Sequence, residues 1–365
     1  MKIVVAMSGG VDSSVAAALL ADQGHEVVGL SMQLYDQSEG QTSFGRCCTL
    51  DDLYDARRVA HAIGIPHYIL NFEREFDEQV VSNFVREYAA GRTPIPCARC
   101  NSDLKFATLA ERAAGFGADA VATGHYARTE RDPLTGRVLL KRGVDRTKDQ
   151  AYFLFSLTQA QLSKAMFPVG DVSKDVVRDY ARRYKLAVAE KPDSQEICFV
   201  PDNDYAAFVA KRAPGVVAAG AIVDEAGRPV GQHEGIHRFT VGQRKGLGLS
   251  NSPDGAPRYV LELRPAEQQV VVGPKQALER THLTASGVNW IIGRPDGPRR
   301  ITAQIRHRHQ AAAATVVAID DPSGPRAEVV FDTPQVAITP GQAVVFYDED
   351  VVLGGGWIDQ DLAHD

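Results

Sequence analysis

From Lys2 to about Ala127 short apolar runs alternate with helix-patterned segments, and that alternation restricts the possible folds more than any other feature. KIVVAM, EVVGLSMQL, PHYILNF and ADAVATGHYA read as buried strands. Between them SVAAALLADQG, LDDLYDARRVAHAIG, REFDEQVVSNFVREYAAG and LKFATLAERAAGFG read as helices, the first two closing on Gly24 and Gly64. Strand and helix in turn imply an α/β fold, a Rossmann-like parallel sheet covered by helices on both faces. Ligands of such sheets sit at the carboxyl ends of the strands, so the turns after KIVVAM and AVATGHYA are the expected places for a site.

Beyond this, RVLLKRG reads as a hairpin strand, and DQAYFLFSLTQAQL and SKDVVRDYARRYKLAVAEK as helical. Near Asp204 the texture changes. Residues 205–280 are rich in Gly and Pro with short strands, a small central domain after a catalytic domain at 1–204. Residues 281–365 read as an all-β unit, a C-terminal β-barrel domain, with RITAQIRHRH, AAATVVAID, RAEVVFD and QAVVFYDEDVVLGGGWI as strands. Alternation along the first of these puts Arg306 and Arg308 on one face and His307 and His309 on the other.

The chain has 365 residues, 44% hydrophobic and 24% charged, ordinary for a globular protein. No apolar run approaches the roughly 18 residues of a membrane span, and the start does not read as a signal peptide. Five cysteines make no disulfide framework, so a cytoplasmic chain with reduced thiols is expected. No membrane partner is expected, and the chain is expected to act as a monomer. The net charge of -6 does not advertise a nucleic-acid partner. Any such grip must be local, as at Arg244 and Lys245 of GQRKGLGL and in IRHRH.

The strongest motif is MSGGVDSSVAAALL. A strand ending at Met7 runs into Ser8, Gly9, Gly10, Val11, Asp12 and Ser13, with a helix expected to begin near Ser13 or Ser14. Glycines let backbone approach phosphate oxygens, and a helix start presents N–H groups and a positive dipole end to an anion. The GK[ST] ending of a Walker loop and the GxGxxG of a dinucleotide site are both absent. SGGxDSS after a first strand resembles the pyrophosphate loop of N-type ATP pyrophosphatases, which cut ATP between its α and β phosphates and adenylate a substrate oxygen. ATP, accompanied by Mg²⁺, is the expected co-substrate, and Asp12 is the one legible candidate ligand for that ion.

The cysteines bear on the acceptor. Cys97 and Cys100 form a CxxC, which can clip a metal, act as a dithiol or place one thiolate. Zinc needs four ligands, and the adjacent Cys47 and Cys48, which read as packing thiols, cannot easily complete the set. No metal site is expected. Cys198 lies 98 residues beyond Cys100. By itself it reads as an apolar cysteine in a strand interior between Ile197 and Phe199.

TPIPCARCNSDLKF, TGHYARTE, TKDQAYFLFSL and KPDSQEICFVPD, together with FTVGQRKGLGL, IRHRH and PGQAVVFYD, resemble in order and spacing the tRNA-specific 2-thiouridylases, over most of the chain. The resemblance implies an adenine nucleotide alpha hydrolase-like fold and replacement of the C2 oxygen of the anticodon wobble uridine by sulfur. It implies that Cys198 carries a persulfide loaded by a sulfur-donor protein and that Cys100 is the other catalytic cysteine, a nucleophile. The two would form a disulfide at one stage. It places ATP on Ala6, Met7, Ser8, Gly9, Gly10, Val11, Asp12, Ser13, Met32 and Gly124. It places tRNA on His125, Lys148, Asp149, Gln150, Arg306, His307 and Gln342. Many family members carry Asp where this chain has Cys97, which leaves that residue as a spectator, a backup resolving thiol, a base contact or half of a metal clip. Another ATP pyrophosphatase activating a carboxylate or urea-like carbonyl, or a non-catalytic RNA-binding protein with a zinc clip, are the rival readings.

Overall fold

The computed structural model describes residues 1–35, 50–193, 197–216, 218–249 and 255–360. They fall into two compact units. One holds Met1–Val81, Pro96–Asn203 and Glu349–Leu353, the other Ser82–Ile95, Asp204–Asp348 and the stretch from Gly354.

The first unit is built on a parallel sheet of five strands in the order β3-β2-β1-β4-β7. These are β1 (Lys2–Ala6), β2 (Glu26–Gln33), β3 (His67–Asn71), β4 (Ala120–Ala122) and β7 (Ala165–Met166). β1 is central because it is apolar on both faces: Ile3, Val4 and Val5 are all fully buried, and Ile3 pairs with Val27 on one side and Ala120 on the other. Helix α1 (Val11–Asp22) supplies Val15, Ala16, Ala17 and Leu20 to the core, and α2 (Leu50–Ala62) supplies Ala56 and Val59.

The structure shifts several expected boundaries. The helix starting at Glu73 (α3, Glu73–Phe76) widens into a π-helical stretch over Asp77–Val81, and its continuation α4 (Ser82–Ala89) belongs to the second unit. The helix expected from Leu104 starts at Pro96, a residue suited to a first helical position. It runs through α5 (Pro96–Arg99), a π-helical stretch Cys100–Thr108 and α6 (Leu109–Gly115). The run ADAVATGHYA is not one strand. β4 ends at Ala122, and β5 (Ala127–Arg131) pairs antiparallel with β6 (Val138–Arg142). DQAYFLFSLTQAQL is a 3₁₀ turn over Ala151–Leu154 and a short α7 (Gln159–Leu162), separated by the capping box at Thr158. α8 (Lys174–Arg183) stops well short of Lys191, and Lys185 turns the chain at φ 54°.

In the second unit α9 (Tyr205–Arg212) precedes a four-stranded sheet in the order β10-β11-β8-β9: β8 (Gly220–Val223), β9 (Pro229–His233), β10 (Tyr259–Arg264) and β11 (Gln269–Gly273). Ile222, Phe239, Val260 and Val270 form its core. Six strands then close into a barrel: β12 (Glu279–Trp290), β13 (Arg299–Gln304), β14 (Ala312–Ile319), β15 (Arg326–Val336), β16 (Ala343–Asp348) and β17 (Val351–Ile358). Closure comes from β12, which pairs with β15 on one side and with the later residues of β17 on the other. The strand expected to run through IRHRH ends at Gln304. Its side-chain amide donates to the carbonyls of Arg306 (3.1 Å) and His307 (2.8 Å), folding the chain into a turn. The two-face reading of the basic run therefore fails, and Arg306, His307 and Arg308 are exposed together. No helix among the described residues is long and apolar enough to cross a membrane.

Leu20 is 1% exposed in the core beneath the phosphate loop. Leu20→Ala is expected to lower stability by about 2–5 kcal/mol through lost burial and a cavity, read as a shifted chemical-denaturation midpoint.

Candidate functional site

The turn after β1 is held at the carboxyl end of the sheet by close backbone approaches. Gly9 has φ +75°, and a Cβ there would lie 2.2 Å from the carbonyl oxygen of Asp52. A Cβ on Gly124, just past β4, would lie 2.4 Å from the nitrogen of Ser13. This second approach explains why the ADAVATGHYA run leaves the sheet at Thr123. The backbones pack this closely only because both positions lack a side chain.

α1 starts at Val11, earlier than expected, so Asp12 and Ser13 stand in its first turn. The reason is local. Ser13 and Ser14 donate their hydroxyls back to the Gly10 carbonyl (3.2 and 2.8 Å), as serines do inside a helical turn. The Ser8 N–H donates to Ser13 Oγ (3.2 Å), closing the loop on itself. Behind it the Ser31 hydroxyl donates to the Met7 carbonyl (2.7 Å). Met32, on the same strand, is buried.

Charge surrounds this loop. Lys191 donates to the Gly9 carbonyl (3.0 Å), to Asp52 Oδ1 (2.6 Å) and to Asp55 Oδ2 (2.6 Å). Burial alone would lower its pKa, but the two carboxylates raise it, so it stays an ammonium. Asp12 accepts from the Tyr126 hydroxyl (2.7 Å) and from Lys174 (2.7 and 2.9 Å). Burial and the Asp12 charge hold the Tyr126 hydroxyl protonated. Asp193 pairs with Lys148 (2.7 Å), Lys174 (2.7 Å) and Arg178 (3.3 Å). Burial would raise the Asp193 pKa, yet hydrogen bonds from Lys148 and Lys174 bring it below the ordinary carboxylate value. Lys174, Lys191 and Asp193 were not singled out from sequence. Lys191 and Asp193 lie in the KPDSQEICF motif, whose cysteine alone drew notice.

Cys97 is exposed on α5 and Cys100 buried at the start of the π-helical stretch, while Cys198 is half-buried in a turn rather than a strand. None of the three is in a disulfide. Cys47 and Cys48 lie outside the described residues. One helix receives both catalytic candidates: Phe76 of α3 packs edge-on against Phe199 at 5.4 Å, and the residues after it pack against α5 and the stretch that starts at Cys100.

Burial pushes the Cys100 thiol up, Lys105 opposes this and Asp103 adds to it. Burial and Lys105 together push His125 well below the ordinary histidine value, so its ring, bonded to Thr123 Oγ1 at 2.7 Å, is neutral at pH 7. Lys105 is thus a shared neighbour of Cys100 and His125. Its ammonium also donates to Asn101 Oδ1 (3.1 Å), and Asn101 donates to the Phe153 carbonyl (3.1 Å).

The expected tRNA positions divide by what their side chains touch. Asp149 is buried, paired with Arg142 (2.9 Å) and accepting from the Gly143 (3.0 Å) and Ala151 (3.2 Å) N–H groups, so its carboxylate orders the loop. Gln150 accepts from the Tyr126 N–H (3.0 Å). Lys148 is partly exposed. In the second unit Arg306 donates to the Val336 carbonyl (3.1 Å), and Gln342 to that of Thr93 (2.9 Å).

Lys105→Met removes one cation from two titrating groups. Both pKa values are expected to rise: alkylation of Cys100 moves its midpoint to higher pH, and the His125 ring titrates at higher pH by NMR. Opposite or independent shifts would contradict a shared neighbourhood.

Three family models match the chain in succession. Their descriptions are tRNA methyl transferase HUP domain (residues 1–202), tRNA methyl transferase PRC-barrel domain (206–274) and aminomethyltransferase beta-barrel domain (280–358). The tRNA-specific 2-thiouridylase MnmA of Solibacter usitatus (strain Ellin6076) is 55% identical over 98% of this chain and 99% of its own length. Its namesake in Geotalea uraniireducens (strain Rf4) is 52% identical over 98% and 95%. That of Acidobacterium capsulatum is 51% identical over 98% of both. At this identity over its whole length, the chain belongs to the tRNA-specific 2-thiouridylase family.

Proposed function

We propose that the protein is an ATP-dependent tRNA sulfurtransferase that converts the wobble uridine of an anticodon to 2-thiouridine. The observation that carries this is the placement, in one unit, of a phosphate cradle and two cysteine segments anchored on the same helix. A methyl transfer would need neither feature.

ATP would sit at this loop, where close backbone packing excludes a Cβ at Gly9 and Gly124. Residues 6–13, with Met32 and Gly124, would hold it, the start of α1 facing the phosphates. Mg²⁺ would neutralise phosphate charge, with Asp12 of the loop the carboxylate that would hold it. A carbonyl oxygen is a poor leaving group. Attack of the uridine O2 on the α-phosphorus expels pyrophosphate and leaves C2 bonded to an AMP oxygen. Sulfur then adds at C2 and AMP departs with the original oxygen. The sulfur comes from a persulfide on Cys198. The Cys100 thiolate attacks the Cys198 sulfur, the terminal S–S bond breaks, and the sulfur leaves with the electron pair while a Cys100–Cys198 disulfide forms. Burial keeps Cys100 protonated at neutral pH, and the Lys105 ammonium favours the thiolate when the proton is lost.

His125, Lys148, Asp149 and Gln150 would form one tRNA-facing edge. Asp149 and Gln150 act there by shaping the backbone. Arg306, His307 and Gln342 would contribute phosphate contacts from the barrel. The chain would divide into a catalytic part (1–204), a central part (205–280) and a barrel (281–365), a reading supported by family models at 1–202, 206–274 and 280–358. The enzyme would work in the cytoplasm as a monomer, supplied by a sulfur-donor protein.

Cys100→Ser and Cys198→Ser are each expected to abolish ATP-dependent 2-thiouridine formation, measured by nucleoside mass spectrometry. Wild-type rates in either variant would overturn the mechanism. Cys97→Ser is expected to retain substantial activity, since the exposed thiol stands outside this exchange.

A further inference from the structure

Lys191 ties the phosphate loop to the start of α2. Its Nζ donates to the Gly9 carbonyl (3.0 Å), to Asp52 Oδ1 (2.6 Å) and to Asp55 Oδ2 (2.6 Å). An ammonium has three N–H donors, and these three oxygens account for them, leaving none for a phosphate. The lysine is itself held in place. Arg178 of α8 donates to the Ala189 carbonyl (2.7 Å) and to that of Lys191 (3.2 Å). Asp52 is also the residue whose backbone carbonyl leaves no room for a Cβ on Gly9. One side of the Gly9 peptide is therefore closed, by α2 and by the ammonium.

The Gly9 carbonyl and the Gly10 N–H belong to one planar trans peptide, so they point in opposite directions. An ammonium that holds the oxygen fixes the direction of that N–H. Gly10 is the N-cap of α1, and its N–H adjoins the N–H groups of the first turn that a helix leaves free. With glycine on both sides of the bond, no side chain restricts how this peptide turns. The bond from Lys191 restricts it instead.

We propose that Lys191 is a positioning residue for ATP: it locks the Gly9–Gly10 peptide with its N–H turned to the phosphates, and does not bind them itself. The inference rests on the reading of ATP at this loop given above. Asp52 and Asp55 belong to the device, because they hold the ammonium against the Gly9 carbonyl.

The test uses the full-length protein. Affinity for α,β-methylene ATP with Mg²⁺ is measured by calorimetry, KM and kcat for ATP in tRNA thiolation, and folding by circular dichroism. Lys191→Met is expected to weaken nucleotide binding by about ten-fold or more and to raise KM for ATP in step. Its kcat at saturating ATP should fall by less than about three-fold. Lys191→Arg should recover part of the affinity. Asp52→Asn and Asp55→Asn keep side-chain size but loosen the ammonium. Each is expected to weaken binding in the same direction, and they carry the test should Lys191→Met fail to fold. Were Lys191 a phosphate ligand, freeing it from either carboxylate would tighten binding, and that result overturns the proposal. Unchanged affinity in Lys191→Met or in both Asp variants overturns it too. So does a loss of kcat at unchanged KM for ATP, the mark of a merely structural role. Absence of binding in the wild type overturns the ATP reading itself.

Discussion

The site depends on two backbone contacts that admit no side chain. Gly9 against Asp52 and Gly124 against Ser13 bring the ends of β1 and β4 and the start of α2 around one cradle. A parallel sheet places its strand ends side by side, but it does not dictate how closely the following loops approach. Here the glycines do, and the serine hydroxyls of the first turn of α1 draw the loop onto its own helix. Lys191 then fixes the outer side by binding the Gly9 carbonyl and two α2 carboxylates with one ammonium.

Around this frame charges cluster, Lys174 buried and the others partly exposed. Asp12, Asp193, Lys148, Lys174 and Arg178 form a chain of ion pairs that starts at the phosphate loop. Such pairs gain little net stability, because desolvation offsets attraction. Their value is geometric. Lys105 makes a second, smaller arrangement, favouring the Cys100 thiolate while keeping His125 neutral.

The parallel sheet was legible because β1 and β2 carry continuous apolar runs and the helices between them end on glycines. The barrel was legible from short strands between turn residues. What escaped was set by tertiary contacts. Nothing local in ADAVATGHYA announces that Gly124 must touch Ser13, so one strand was expected where two segments lie. Alternation in IRHRH gave no warning that the Gln304 amide would fold those residues into a turn. Lysines are ordinary in surface helices, so Lys174 at the start of α8 carried no signal until its carboxylate partners, far away in sequence, were seen beside it. The motifs named candidate residues, and the ionic partners of Asp12 became visible only in three dimensions.

The central claim is that ATP activates the C2 oxygen of a uridine so that sulfur can replace it. The most direct measurement uses tRNA whose wobble uridine carries ¹⁸O at C2, incubated with the protein, ATP and a persulfide source, with the nucleotide products read by mass spectrometry. The account predicts one ¹⁸O in the phosphoryl group of AMP for each 2-thiouridine formed, and none in pyrophosphate. Unlabelled AMP alongside 2-thiouridine, or cleavage of ATP to ADP, would contradict it.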